Sequence, residues 1–592
     1  MASAPDLLTP RQRAIVAIAA LVCAASRFLA LARTLWEWDE AMFTLAMRDY
    51  DVTLHHPHPP GFPAYIFLGR IARFVTGSDF HALRLVNLIA AMLVFPAIFF
   101  LARELRLRFE TSLVAAMLFA FFPNVWYFGG GAFSDVPSIV LVCFAATMLL
   151  RGARDRNAYW LGTLLLAVAI GIRPQNLLLG LFPGMYATYR RRPREIVVAL
   201  VIGIVIVAVC FGGAAYATGS LHEYIRMVRQ HSDYIARVDS FRSPARPALW
   251  RMFIHFFVQQ YQSLPLSIIA TLLAIVSIVR AIRERDVRLL YTVLTFAPFA
   301  FLAWLMLDRF SVSRFSIGYQ PMFAILVADG IHRLARWRRW IEPLLASALL
   351  VAFVAFTAPA LKVVRTTIAP TVLAARAVNE HLDPAKDLLY VGGTMVPFVD
   401  LFSPSMRNIH VLDDRALPLA WQPRTWLIAE LTRTEPDGFV FTRPRNSLWK
   451  IARHNYFEVV LKPVRERAQF LSGWYAPESS EHDEWRWMTG RSVTLLPPRN
   501  GPMVLRMHLG VPGELMDKNP EITVKLNGRI VDRFRTTEGY FERNVHVLPA
   551  PNGAPNVLEL SIDHILTPPP AQAGSDGRTL GLRLRYLAWG PA

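Results

Sequence analysis

The chain has 592 residues, of which 54% are hydrophobic and only 18% charged, with a formal net charge of +19. That composition excludes an ordinary soluble globular protein. It also argues against a nucleic-acid partner, because the basic excess sits in short arginine clusters between apolar runs of roughly 18–22 residues, the length a helix needs to cross a bilayer.

In chain order, about eleven membrane spans are predicted. They fall near residues 14–35, 82–102, 111–128, 133–150, 158–172, 175–189, 195–217, 260–280, 289–307, 315–332 and 341–360. The first is too long for a signal-peptide core and lacks a convincing cleavage site, so a retained helix is expected. Arginine clusters at 11–13, 103–108, 151–156, 190–194, 280–288 and 333–339 all fall on one side of such an arrangement. The N-terminus is therefore expected in the cytoplasm, and the long region after the last span outside it. Segments 40–50 and 62–75 have helical apolar spacing but are too short to span, which fits helices lying along the interface. Cys23, Cys143 and Cys210, the three cysteines, all lie in apolar segments, so no disulfide framework is expected in the C-terminal part.

Three domains are expected: a transmembrane domain over 1–360, an extracytoplasmic α/β module over 361–470, and a β-sandwich of jelly-roll type over 471–592. In the second, a helix-like VLAARAVNEHL precedes the short apolar runs LLYVGG, WLIAEL, GFVFTRP and FEVVLKPV. In the third, period-two runs such as MVLRMHLGV and NVLELSID alternate with turns, and Asn527-Gly528 marks a tight hairpin. Trp474, Tyr475, Trp485 and Trp487 gather there; such rings fill a core or stack on a sugar face.

The candidate chemistry lies between the first two spans. Asp39 and Glu40 stand where a helix leaves the bilayer, and a shielded carboxylate there is able to take a proton from an acceptor. The same pair also suits a helix N-terminus, where carboxylates favour the dipole. The run His55-His56-Pro57-His58-Pro59-Pro60-Gly61 is stiffened by its prolines. Zinc is disfavoured, because ligands so closely spaced in an extended segment do not converge easily. His58 is instead expected to face a site and to donate to phosphate. Glu37, Asp39 and Glu40 are weak candidates for holding Mg²⁺ or Mn²⁺. Asp135, Arg173, Gln175, Arg309, Arg314 and Tyr319 lie at the same-side ends of later spans. Ionisable groups at membrane depth are costly, and arginine grips phosphate through planar donors; singly, each also fits a snorkelling or loop residue.

The order WEWDEAMFTLAMRDY, HPPGFPAYIFLGR, SDVPSIVLVCFA and SRFSIGYQPMFAILVADGI resembles the membrane glycosyltransferases of the GT-C class. Within that class it is most similar to the protein O-mannosyltransferase-like and lipid A aminoarabinose transferase-like enzymes. The last segment departs from the class pattern R-Y-x-L-P-x-x-P, having Arg314-Phe315 and a partial match thereafter. The resemblance covers roughly residues 14–360. It implies a polyprenyl-phosphate-linked sugar as donor and transfer with inversion on the outer face, to an extracytoplasmic glycan, lipid or protein. It implies Asp39 as base and Glu40 in support. His58, Arg173, Arg309 and Arg314 become candidates for the donor pocket. It does not extend to the C-terminal modules, so acceptor choice is not carried over. A bacterial inner membrane suits the composition, with the endoplasmic reticulum still open. Two rivals remain: a lipid or polysaccharide transporter, which would be expected to show repeats that are not evident here, and a non-catalytic anchor for a sugar-binding domain.

Overall fold

The computed structural model describes residues 8–238, 240–243, 246, 248–306, 312–335, 338, 340–412, 417–420, 424–430, 438–443, 458–479, 484–567 and 578–592. The chain divides into two compact units, Met1–Ala369 with Pro444–Asn455, and Pro370–Arg443 with Tyr456–Ala592.

The first unit is helical, and each predicted span coincides with helix. Among the described residues, seven helices are long and apolar enough to cross a membrane, and Phe109–Phe121 and Arg156–Ile172 are shorter apolar helices. Helix Pro193–Ala217 leaves Val201, Ile204 and Val209 exposed over more than half their surface. A stripe of that kind needs a lipid solvent, and the protein is an integral membrane protein.

The first helix, Pro10–Arg27, starts at a capping box between Thr9 and Gln12, with Pro10 in its first turn. It stops eight residues short of the predicted end, after which Phe28–Ala30 form one 3-10 turn. The cause is tertiary. Arg27 is fully buried, its guanidinium 5.2 Å from the Phe121 ring centroid and 5.7 Å from that of Trp126. Beyond it, Ala32 N–H donates to Gly130 O (3.0 Å) and Arg33 N–H to Val364 O (2.8 Å). Neighbouring segments thus accept the bonds a helix would have made internally, and the chain reaches Trp36 outside any helix. The two short segments expected to be helical form Trp38–Ala46 and Pro63–Thr76.

The second unit carries two sheets. Strands Ile409–Leu412, Leu388–Gly392, Thr425–Glu430, Glu458–Pro463 and Phe439–Thr442 form a five-stranded sheet in that spatial order, parallel at its first two junctions and antiparallel at the rest. The ten-stranded sheet has the main path Arg529–Arg535, Glu521–Leu526, Asn556–Ile562, Glu484–Leu496, Arg583–Pro591, Met503–Gly510 and Tyr540–Val547. The expected sandwich thus takes the form of one strongly curled sheet. Its end strands meet through Arg543 Nε and Asp532 Oδ2, 2.5 Å apart, around a core that includes Trp589, Leu505 and Leu560. Asn527 and Gly528 make the expected turn, both at positive φ (54° and 78°). Trp474 donates to Thr494 Oγ1 (3.0 Å) and packs on the core. Trp485 and Trp487 are half-buried beside the Arg583 guanidinium.

Close helix contacts in the first unit depend on glycine. A Cβ on Gly330, in helix Gln320–Leu334, would overlap the Leu273 carbonyl oxygen of helix Leu264–Glu284. Small residues at such crossings let membrane helices approach. Gly330→Val is expected to destabilise the protein by about 1–3 kcal/mol. Thermal unfolding in detergent, with Gly184→Ala in open space as control, checks this; equal midpoints for the two variants would refute it.

Candidate active site

The site begins with a loop fastened from inside. Glu37 caps helix Trp38–Ala46, and Glu40, at its third position, reaches back. Glu40 Oε2 accepts from Trp36 N–H (2.6 Å) and Glu37 N–H (3.0 Å), while Oε1 accepts from Ala132 N–H (2.7 Å). A side chain on Gly131 would strike Glu40 Oε1, so the glycine lets the 129–134 loop close on the carboxylate. Burial pushes the Glu40 carboxyl up to about 7, against the pull of its backbone donors. Glu40 is fully buried and acts as a brace between two chain segments.

Asp39, one residue earlier, points the other way, into a cluster of arginine and acidic side chains. Arg314 Nη2 donates to Asp39 Oδ2. Arg314 Nη1 lies 3.5 Å from Glu37 Oε2, and its Nε 3.4 Å from Asp135 Oδ2. Asp135 opens helix Asp135–Gly152 and pairs with Arg173 Nη2 at 2.9 Å. Arg173 Nε donates to Ser134 Oγ at 3.0 Å. Each guanidinium also lies over a ring, Arg314 5.3 Å from Phe133 and Arg173 5.5 Å from Phe62. A small cavity runs along this cluster, bounded by Asp135, Ser138, Arg173, Asn176 and Arg314 among others.

Burial opposes the charge on Asp39, but Arg314 and then His58 override it and hold the carboxyl well below the usual range. For Glu37 burial wins, reinforced by the neighbouring carboxylates, and its carboxyl is pushed up to about 8 despite Arg314. Two acids two residues apart are thereby driven in opposite directions.

His58 Nδ1 lies 3.8 Å from Asp39 Oδ1. Its ring is 4.8 Å from Phe62 and 5.6 Å from His231. Its turn includes cis bonds at His56–Pro57 and Pro59–Pro60. Tyr224 OH, on helix Leu221–Val238, donates to Pro60 O at 2.8 Å and ties that helix to the turn.

The structure therefore gathers Asp39, Glu37, His58, Asp135, Arg173 and Arg314. It does not gather the others. Gln175 is half-buried in the 3-10 turn Pro174–Asn176. Tyr319 stacks on Phe256, ring centroids 4.5 Å apart, and donates to the Phe256 carbonyl (3.2 Å), which is core packing. Arg309 lies outside the described residues. The carboxylates weighed for Mg²⁺ or Mn²⁺ do not converge, since Glu37 and Asp39 face Arg314 and Glu40 faces backbone. Among the described residues no group of three or more His, Cys, Asp or Glu is placed to hold a metal ion. Ser134, Phe133 and His231 were not foreseen. The last was within reach, because Tyr224, Met227 and His231 share one helical face.

The fold and the cluster define a polytopic membrane protein with a charged site at the ends of its helices. Residues 55–212 match the family described as dolichyl-phosphate-mannose-protein mannosyltransferase. The resemblance to GT-C membrane glycosyltransferases is borne out over that stretch, which holds His58, Asp135 and Arg173. Solved structures similar to the chain include ArnT from Cupriavidus metallidurans bound to undecaprenyl phosphate, at 14% identity and a TM-score of 0.45, covering 77% of this chain and 98% of that one. An oligosaccharyltransferase from Archaeoglobus fulgidus aligns at 9% identity and a TM-score of 0.46, over 98% of each chain. The arabinofuranosyltransferase AftD from Mycobacteria aligns at 11% identity and a TM-score of 0.45, over all of this chain and 60% of its own. No curated protein matches the chain in sequence.

Burial pushes His58 down to about 4 despite Asp39, so its folded form is neutral where the unfolded form titrates near 6.5. The stability this contributes is complete above pH 6.5 and is lost as pH falls through 4. Wild type is expected to lose stability relative to His58→Asn over that window, read as thermal midpoints in detergent. A constant difference between the two would contradict the assignment.

Proposed function

We propose that the protein is an integral membrane glycosyltransferase that moves a sugar from a polyprenyl phosphate to an acceptor on the extracytoplasmic side of a bacterial inner membrane. The observation that carries this reading is the buried pairing of Asp39 with Arg314, beside Arg173 and Asp135. It places an ionised carboxylate next to guanidiniums suited to a phosphate. The family match across residues 55–212 supports it, and the arginine bias between spans supports the orientation.

In this reading Asp39 takes the proton from the acceptor hydroxyl as its oxygen attacks the anomeric carbon. The bond from that carbon to the phosphate oxygen breaks, and its electron pair leaves with the polyprenyl phosphate. Attack opposite the leaving group inverts the anomeric centre. Arg314 and Arg173 bind the phosphate and stabilise the charge that develops on it. Neutral His58 donates a hydrogen bond at the same site. Glu40 positions Asp39 through the residue 36–37 backbone. The reading routes no step through a metal, because the acidic residues turn to arginine and backbone.

Purified protein in lipid, supplied with a panel of radiolabelled polyprenyl-phosphate sugars and membrane extract as acceptor, tests this. Wild type should consume one donor, and Asp39→Asn should lose about 10²–10⁴-fold in turnover. Full activity in the variant would remove Asp39 as base. Indifference of the wild type to every donor would remove the glycosyltransferase reading.

A further inference from the structure

Arg314 directs all three nitrogen positions of its guanidinium at carboxylates: Glu37 at 3.5 Å, Asp135 at 3.4 Å, and Asp39 by a direct hydrogen bond. The four side chains are 5–16% exposed, so water screens them little. The small cavity beside the cluster is bounded by Arg314 and Arg173 but by neither Glu37 nor Asp39. Arg314 therefore stands between that cavity and the two acids.

We infer that a lipid-linked phosphate and Asp39 compete for Arg314, so that donor binding draws the guanidinium off Asp39 and frees it to act as base. This rests on the glycosyltransferase reading above. A guanidinium has donors only, and the phosphodiester of a lipid-linked sugar offers two non-bridging oxygens that share one negative charge, so it takes the same planar donors as a carboxylate. Asp135 stays as the anchor, since Arg173 also holds it at 2.9 Å. Released from Arg314, Asp39 keeps His58 as neighbour, 3.8 Å away, and becomes more basic as its cationic partner withdraws. The exchange orders the reaction: the donor phosphate binds first, and the acceptor proton is taken only afterwards.

A base that restrains the phosphate ligand has an unusual consequence. Removing its charge should abolish turnover yet strengthen lipid-phosphate binding. The test uses full-length protein in phosphatidylcholine nanodiscs, with undecaprenyl phosphate as the probe and uncharged undecaprenol as control. Asp39→Asn and Asp39→Ala are each expected to bind the phosphate about threefold to tenfold more tightly than wild type, a gain of roughly 0.7–1.4 kcal/mol. Arg314→Gln should bind it more weakly. Thermal midpoints confirm that each variant is folded, and either carboxylate variant suffices if the other is not. Unchanged or weaker binding in the folded carboxylate variants overturns the competition, as does wild-type affinity in Arg314→Gln. If wild type binds the phosphate no better than undecaprenol, the donor reading falls and the inference falls with it.

Discussion

One guanidinium shared among three acids sets the form of this site. Burying a charge is costly unless it is paired, and Arg314 meets that demand with partners from two chain segments far apart in sequence: Glu37 and Asp39 near the first helix, and Asp135 at the head of a later one. Arg173 joins through Asp135 and so brings in a third segment. The network is a tie between helix ends. Two cations facing three carboxylates leave a surplus acid, and the upward push on Glu37 shows where that surplus is relieved.

The tie needs a rigid backing, which Glu40 supplies. Its carboxylate collects N–H groups from residues 36, 37 and 132 and so fixes the direction in which Asp39 points. That arrangement depends in turn on the absence of a side chain at Gly131. Neighbouring residues in the sequence thus divide the labour, with Glu40 turned to backbone and Asp39 to Arg314 and His58. The His-Pro turn, held by Tyr224, covers the other side of Asp39.

Much of this was legible beforehand, for physical reasons. Helix positions followed from the length of apolar runs, and most strands from period-two alternation. The hairpin at Asn527-Gly528 followed from the backbone freedom of those two residues. The early stop of the first helix was hidden, because its cause is a buried Arg27 stacked on Phe121 and Trp126, a contact between distant segments. The long strand Glu484–Leu496 was obscured by its aromatic start, whose rings read as core packing ahead of a sugar-stacking surface. Within the site, residue type pointed to Asp39, Asp135, Arg173 and Arg314, because charge near a bilayer needs a reason. Residue type misplaced Tyr319, whose phenol serves the core. It also left the difference between Asp39 and Glu40 unseen, since side-chain direction over one helical turn depends on the loop that packs against it.

The curled sheet of the second unit bears on a different matter, the solubility of a large β-domain attached to a membrane protein. The outermost strands of an open sheet present unpaired backbone groups that recruit other chains. Here the two end strands face each other, joined by Arg543 and Asp532. Arg529, Arg533 and Arg535 add charge along one of them. The ion pair across this seam and the charge along it work against strand-to-strand addition at these two strands.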